Sequence, residues 1–185
     1  MNTGSTSPRF SAPAIGLHWL IALLIAGAFG LGWYMTDLPI SPARLQYYAW
    51  HKWVGVTVFA LAFLRLFWRL THRPPSPPAN MARWQVWASE LTHAALYLLL
   101  FAVPLSGWLY SSASGYPVVY LELVQLPDLV GKDKALAHTL KEVHELLTTV
   151  LLWLVILHFA AALKHQFWDR DGLFWRMWPR RAMRT

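Results

Sequence analysis

The chain has 185 residues, of which 56% are hydrophobic, 15% aromatic and only 14% charged, with a mean hydropathy of +0.34. An ordinary soluble domain carries about 25% charged residues, so the composition points to a membrane protein, and the length to a single domain. There is no cysteine, which excludes disulfides, iron–sulfur ligation, thiolate metal ligands and covalent cofactor attachment through C-x-x-C-H; the net charge of +7 reads as basic residues gathered on one side of a membrane, not as a nucleic-acid footprint.

A transmembrane helix needs about 20 mostly apolar residues, and four stretches qualify. The first covers residues 14–35. It is too long for the apolar region of a leader peptide, contains His18 and shows no clean small-residue cleavage site, so it is expected to remain as a span. Pro39 and Pro42 break the chain before the second span, residues 47–70. The run from Arg73 to Pro78 (Arg-Pro-Pro-Ser-Pro-Pro) cannot be helical and separates it from the third, residues 84–110, where Pro104 and Gly107 predict a kink. Residues 111–134 form a longer loop, within which 118–124 is apolar enough to lie in the interface as a short helix. The fourth span covers residues 137–168. The expected fold class is all-α: an integral membrane four-helix transmembrane bundle, one domain over residues 1–185.

The charges orient it. Arg9, Arg65, Arg69, Arg73, Arg83, Lys164, Arg170, Arg176, Arg180, Arg181 and Arg184 fall on the side of the termini and the second loop. Five of the 16 basic residues (Arg44, Lys52, Lys132, Lys134 and Lys141) fall on the other, with six of the nine acids (Asp37, Glu122, Asp128, Asp133, Glu142 and Glu145). The positive-inside rule then places both termini in the cytoplasm. Trp19, Trp33, Trp50, Trp53, Trp84, Trp87, Trp108 and Trp168 cluster near the expected helix ends, as interfacial belts do.

Eight histidines is many for such a chain. A single one is more often a packing or interfacial residue than a ligand, so the pattern carries the argument. His144 and His158 are fourteen residues apart, hence about 40° apart around the fourth helix and about 21 Å apart along it. One face presents two imidazoles at two depths, the geometry that ligates two stacked haems. By depth, His18 early in the first helix matches His158 at the inner side, and His51 early in the second matches His144 at the outer side. His93 lies at the depth of His18 and His158; it can replace one of them, contact a propionate or a quinone, or simply pack between helices. His165, two turns beyond His158, reads as an inner-side residue near a haem edge or quinone headgroup, or as a surface histidine. His72 reads as surface, and His138 points away from the His144 face. Arg65 lies fourteen residues after His51 on nearly the same face, with Arg69 one turn further; both are candidate propionate contacts, against ordinary snorkelling at a helix end. Gly27, Gly30, Gly32 and Gly55 are placed to admit a flat macrocycle, or to let helices pack closely.

Several segments then become familiar together: His-Trp-Leu at 18–20, Trp-His-Lys at 50–52, Phe-Leu-Arg-Leu-Phe-Trp-Arg-Leu at 63–70, Thr-His-Ala-Ala-Leu-Tyr at 92–97, Val-Pro-Leu-Ser-Gly at 103–107, Val-His-Glu at 143–145 and Leu-His-Phe-Ala-Ala-Ala-Leu-Lys-His-Gln-Phe at 157–167. In this order, over nearly the whole chain, they resemble the bacterial cytochrome b561 family, specifically its short stand-alone members. The resemblance implies four helices and two non-covalent haem b groups, the inner on His18 and His158 and the outer on His51 and His144. It also implies oxidation of superoxide at the periplasmic side and reduction of ubiquinone in the membrane. Lys132, Lys134, Lys141, Arg44 and Lys52 are the candidates for steering that anion, although five basic against six acidic residues leave the outer side without a net positive charge. The alternative is a cytochrome b subunit linking a dehydrogenase or hydrogenase partner to the quinone pool. A histidine-lined transporter or channel is a third reading, one that would leave the purified protein colourless.

Overall fold

The computed structural model describes residues 9–78 and 81–179; Arg180, Arg181 and Arg184 of the charge count lie outside them. Four long helices dominate: α1 (Ala12–Asp37), α2 (Pro42–Thr71), α3 (Arg83–Ser114) and α4 (Lys134–Lys164), the last prolonged by a π-turn at His165–Asp169 and followed by a short α5 (Leu173–Arg176). All four are long and apolar enough to cross a membrane, and the chain is a multi-pass membrane protein.

The helices begin and end where local chemistry dictates. The Ser41 hydroxyl caps α2 by accepting from the Arg44 amide, with Pro42 pre-set in the first turn. The Gln85 side chain accepts from the Ala82 amide at the start of α3, and the Asp133 carboxylate accepts from the Ala135 and Leu136 amides at the start of α4. α3 ends at Gly115, whose φ of 76° closes the last turn: the Gly115 amide donates to Ser112 and the Tyr116 amide to Ser111. With these caps α2 and α4 begin ahead of their apolar stretches, at Pro42 and Lys134, and α3 runs on to Ser114. α3 also remains helical through Pro104.

The helices pack in chain order, α1 on α2, α2 on α3 and α3 on α4, while the backbones of α1 and α4 do not approach each other. Ile21, Val58, Ala62 and Leu100 form the buried centre where the first three meet. The outward surface is the inverse of a soluble protein's: Leu23, Phe67, Leu98 and Trp153 are all more than 60% exposed, as lipid-facing positions should be. Among the tryptophans near the helix ends, Trp53 and Trp108 pin the loop that precedes α4, donating to the carbonyls of Val119 and Pro127.

That loop corrects one expectation. Residues 118–124 do not form an interfacial helix; β1 (Val119–Tyr120) pairs antiparallel with β2 (Val124–Gln125). The turn between them holds Leu121 and Glu122 at φ 53° and 63°, and the Leu123 amide donates to the Tyr120 carbonyl. The β-branched and aromatic run Val118–Val119–Tyr120 suits a pleated strand better than a helix. Trp53 and the contact between Thr57 and the Tyr120 hydroxyl (3.0 Å) fix the hairpin on α2.

Lys52 closes the same region. Its ammonium donates to Ser111 Oγ at 3.0 Å, the Pro117 carbonyl at 3.1 Å and the Tyr116 carbonyl at 3.3 Å, a full complement for Nζ at the carbonyl-rich end of α3. Lys52→Met is therefore expected to destabilise the protein by about 1–3 kcal/mol. The effect should appear as a lower thermal midpoint in detergent and faster proteolysis between residues 115 and 133, with no effect localised to the termini.

Candidate functional site

The antiparallel helices bring the histidines together in two groups. At the end carrying both described chain ends, His18 of α1 and His158 of α4 stand with ring centres 6.1 Å apart and planes at 76°. At the far end, His51 of α2 and His144 of α4 stand 6.4 Å apart at 87°. A metal–imidazole nitrogen bond is about 2 Å and the ring centre lies ~1.1 Å behind the nitrogen, so two imidazoles on opposite faces of one metal have centres about 6.3 Å apart. Both pairs match that spacing. Both also bridge helix pairs whose backbones stand apart, which leaves a slot of the kind a flat macrocycle occupies.

The far-end pair is braced on both sides. Nδ1 of His144 lies 3.1 Å from the Val103 carbonyl and 3.0 Å from Ser106 Oγ. Nδ1–H therefore donates into α3, and Nε2 is left as the acceptor, the tautomer a metal ligand requires. The Ser106 hydroxyl itself donates to Val103. The imidazole rests on Gly107: a Cβ there would lie 3.0 Å from Cε1 of His144. On the opposite helix His51 rests on Gly32, where a Cβ would lie 3.5 Å from its Cε1. The buried Nδ1 of His51 has no hydrogen-bond partner among the described residues. This nitrogen is turned to α1, toward Ala28 and Gly32, which leaves Nε2 as the nitrogen free to ligate.

At the near end a third histidine joins. His93 of α3 lies 5.3 Å from His158, and its Nδ1 is 3.3 Å from Ser89 Oγ. That separation is about 1 Å too short for two ligands of one metal, and α3 packs directly on α4 with no slot between them. Arg65 donates from Nε to the Tyr97 hydroxyl at 3.1 Å, and both Arg65 and Arg69 lie over the Tyr97 ring. His165 occupies the π-turn, with Nδ1 2.6 Å from Asp171 Oδ2 and 3.2 Å from Asp169 Oδ2. His72 stacks on Trp68 at the surface and His138 is an exposed neighbour of Glu142, as their positions in the sequence suggested.

The five outer basic residues do not act as one patch. Lys52 is consumed by the loop, Lys141 pairs with Glu145 at 3.0 Å, and Arg44 lies over Tyr48. Lys132 runs along Gly115, and Lys134 is exposed at the start of α4. Sequence reasoning passed over Ser106 and Gly107 as parts of the site, although both sit in the Val-Pro-Leu-Ser-Gly segment; their role depends on the contact with α4.

The family model described as prokaryotic cytochrome b561 matches residues 9–180. "Cytochrome b561 homolog 2" of Escherichia coli (strain K12) is 31% identical over 184 residues, covering 96% of this chain and 95% of its own length. "Cytochrome b561 homolog 1" of the same organism is 31% identical over 177 residues, covering 94% and 98%. "Probable superoxide oxidase CybB" of Yersinia pestis is 27% identical over 177 residues, covering 94% and 97%. With the family model matched over nearly its whole length and two relatives 31% identical, the chain belongs to the prokaryotic cytochrome b561 family of haem b-binding membrane electron-transfer proteins.

Proposed function

We propose that the chain holds two haem b groups, the inner between His18 and His158 and the outer between His51 and His144, and carries electrons from superoxide at the periplasmic face to ubiquinone. The observation that carries this reading is the pair of ring-centre separations, 6.1 and 6.4 Å, at two depths of one helix. His18 with His158, and His51 with His144, would each hold a haem through imidazole, and a haem so held would supply one-electron transfer and not oxygen binding.

The chain's own residues supply position and polarity. Val103 and Ser106 fix the His144 ring and its tautomer. Two superoxide ions give up one electron each and leave as dioxygen; ubiquinone takes both electrons with two protons and leaves as ubiquinol. His93 and His165 are the imidazoles at the inner end where a quinone headgroup would find donors; Asp169 and Asp171 orient His165 by accepting from its Nδ1. Support for superoxide as donor comes from the name of the Yersinia pestis relative; support for a cytoplasmic position of both termini comes from the excess of Lys and Arg at that end.

The engagement of Lys52 and Lys141 within the protein favours a second reading, a cytochrome b subunit fed by a dehydrogenase or hydrogenase partner, because it reduces the free positive charge available to attract a small anion. Stopped-flow mixing of the oxidised protein with superoxide separates the two. Haem reduction faster than about 10⁶ M⁻¹s⁻¹, above an unsteered encounter, with ubiquinol formed at one per two superoxide ions, is the expected result. Slow reduction by superoxide alongside rapid quinol-driven reduction would favour the conduit.

A further inference from the structure

At the end of the bundle that carries His18 and His158, α5 folds back beneath the helices. Arg176, its last residue, is 6% exposed and is the one buried charged side chain among the described residues. Nη1 donates to the Ser76 carbonyl at 2.7 Å, while the buried Nε has no partner among the described residues. All nine acidic side chains of the chain lie within the described residues. The ion pairs formed there engage lysines and histidines, and none engages an arginine. A guanidinium kept from water with an unfilled donor and no acidic side chain beside it is strongly unfavourable unless an oxyanion completes it.

The surroundings say which oxyanion. The Arg176 carbonyl accepts from the Phe10 amide, just before α1. The next residue, Met177, accepts at its carbonyl from Trp19 Nε1 at 2.7 Å. The Trp19 ring stands 5.5 Å from that of His18 and 5.5 Å from that of Trp178. Arg176 is thus tied, within two residues, to the immediate neighbour of an inner histidine. Arg65 stands within charge range of His18 and His158 and, with Arg69, over the Tyr97 ring, so it remains a second cation for the same edge.

We propose that Arg176 is the built half of a carboxylate site at the rim of the inner histidine pair, and that its ligand is a propionate of the haem held there. The inference rests on the inner-haem assignment made above. Haem carries two carboxylates on one edge, and the guanidinium fork is the side chain that pairs a carboxylate in two-point geometry. α5 and residues 73–78 then act as a cap that bonds to the cofactor as well as to the bundle.

Redox titration of the intact holoprotein tests this, after haem per chain and the ligand variants have settled the inner haem itself. In Arg176→Met, loss of the positive charge should favour ferric iron at the inner haem about tenfold, a fall of about 59 mV for a one-electron couple, with the outer haem unmoved. Arg176→Lys keeps the charge but not the fork and should shift the inner potential less, in the same direction. The carboxylate bands of the redox-difference infrared spectrum should move in Arg176→Met alone. Unchanged inner potentials in both variants would reduce Arg176 to a tie between Ser76 and Phe10. A shift that appears only when anionic phospholipid is restored to delipidated protein would make the ligand a lipid phosphate and overturn the proposal. Failure of the inner-haem assignment would show separately, as His18 and His158 variants that keep two haems.

Discussion

His144→Ala is expected to lower the haem content of the purified protein from two per chain to one, leaving the inner haem with an unaltered spectrum. The expectation follows from the division of the histidines. His51 has no other imidazole at its depth, so without His144 the proposed outer site would keep a single histidine to hold its haem. The polar groups nearby, Val103 and Ser106, are placed to orient an imidazole and not to replace it. His51→Ala should have the same outcome, and His18→Ala or His158→Ala the mirror image, with the outer haem kept and the inner lost.

His93 makes the experiment discriminating. It lies closer to His158 than His18 does, 5.3 against 6.1 Å, and by proximity alone would be chosen as the ligand. Spacing and slot argue otherwise, since the shorter distance leaves no room for iron between two nitrogens. His93→Ala should therefore retain two haems per chain. Haem quantification with reduced-minus-oxidised spectra checks all five variants. Retention of the inner haem in His18→Ala, with its loss in His93→Ala, would reassign the site to α3 and α4.

The pairing of His18 with His158 and His51 with His144 was legible because it needs only helical periodicity, four spans and the alternation of direction between them. What escaped the sequence depends on contacts between elements distant in the chain. Ser111 and Ser112 looked like the start of a loop; they stay helical because their polar groups are satisfied by Tyr116, Lys52 and the Leu129 amide. The apolar run of seven at 118–124 has no decisive period and suits an interfacial helix by itself; the tethers from Trp53 and Thr57 select the strand. Lys52 was counted as surface charge, yet three acceptors from α3 and its loop converge on it. Arg176 resembled one more basic residue of a cytoplasmic tail; its burial arises from Ser76, a hundred residues earlier.

Gly107 is the substitution with the clearest opposition of effects. In an exposed helix interior, Gly→Ala gains roughly 1 kcal/mol from helix propensity. At Gly107 the added Cβ would stand 3.0 Å from Cε1 and 3.3 Å from Nδ1 of His144, closer than ordinary van der Waals contact. The ring must move, and it is held by Val103 and Ser106 on the helix from which the methyl would project. Any shift that relieves the clash lengthens those bonds or tilts Nε2 away from the direction of His51. Gly107→Ala is accordingly expected to keep or raise the thermal midpoint of the haem-free fraction while weakening outer-haem retention about 10–100-fold, the range for losing the support of a metal-ligating histidine. Gly107→Val, with two further methyls and a stiff χ1, should lose the outer haem as completely as His144→Ala while retaining the inner one. A Gly107→Val protein with both haems at unaltered potentials would show that His144 does not bear on α3 in the loaded protein, and that α3 stands back from the outer site.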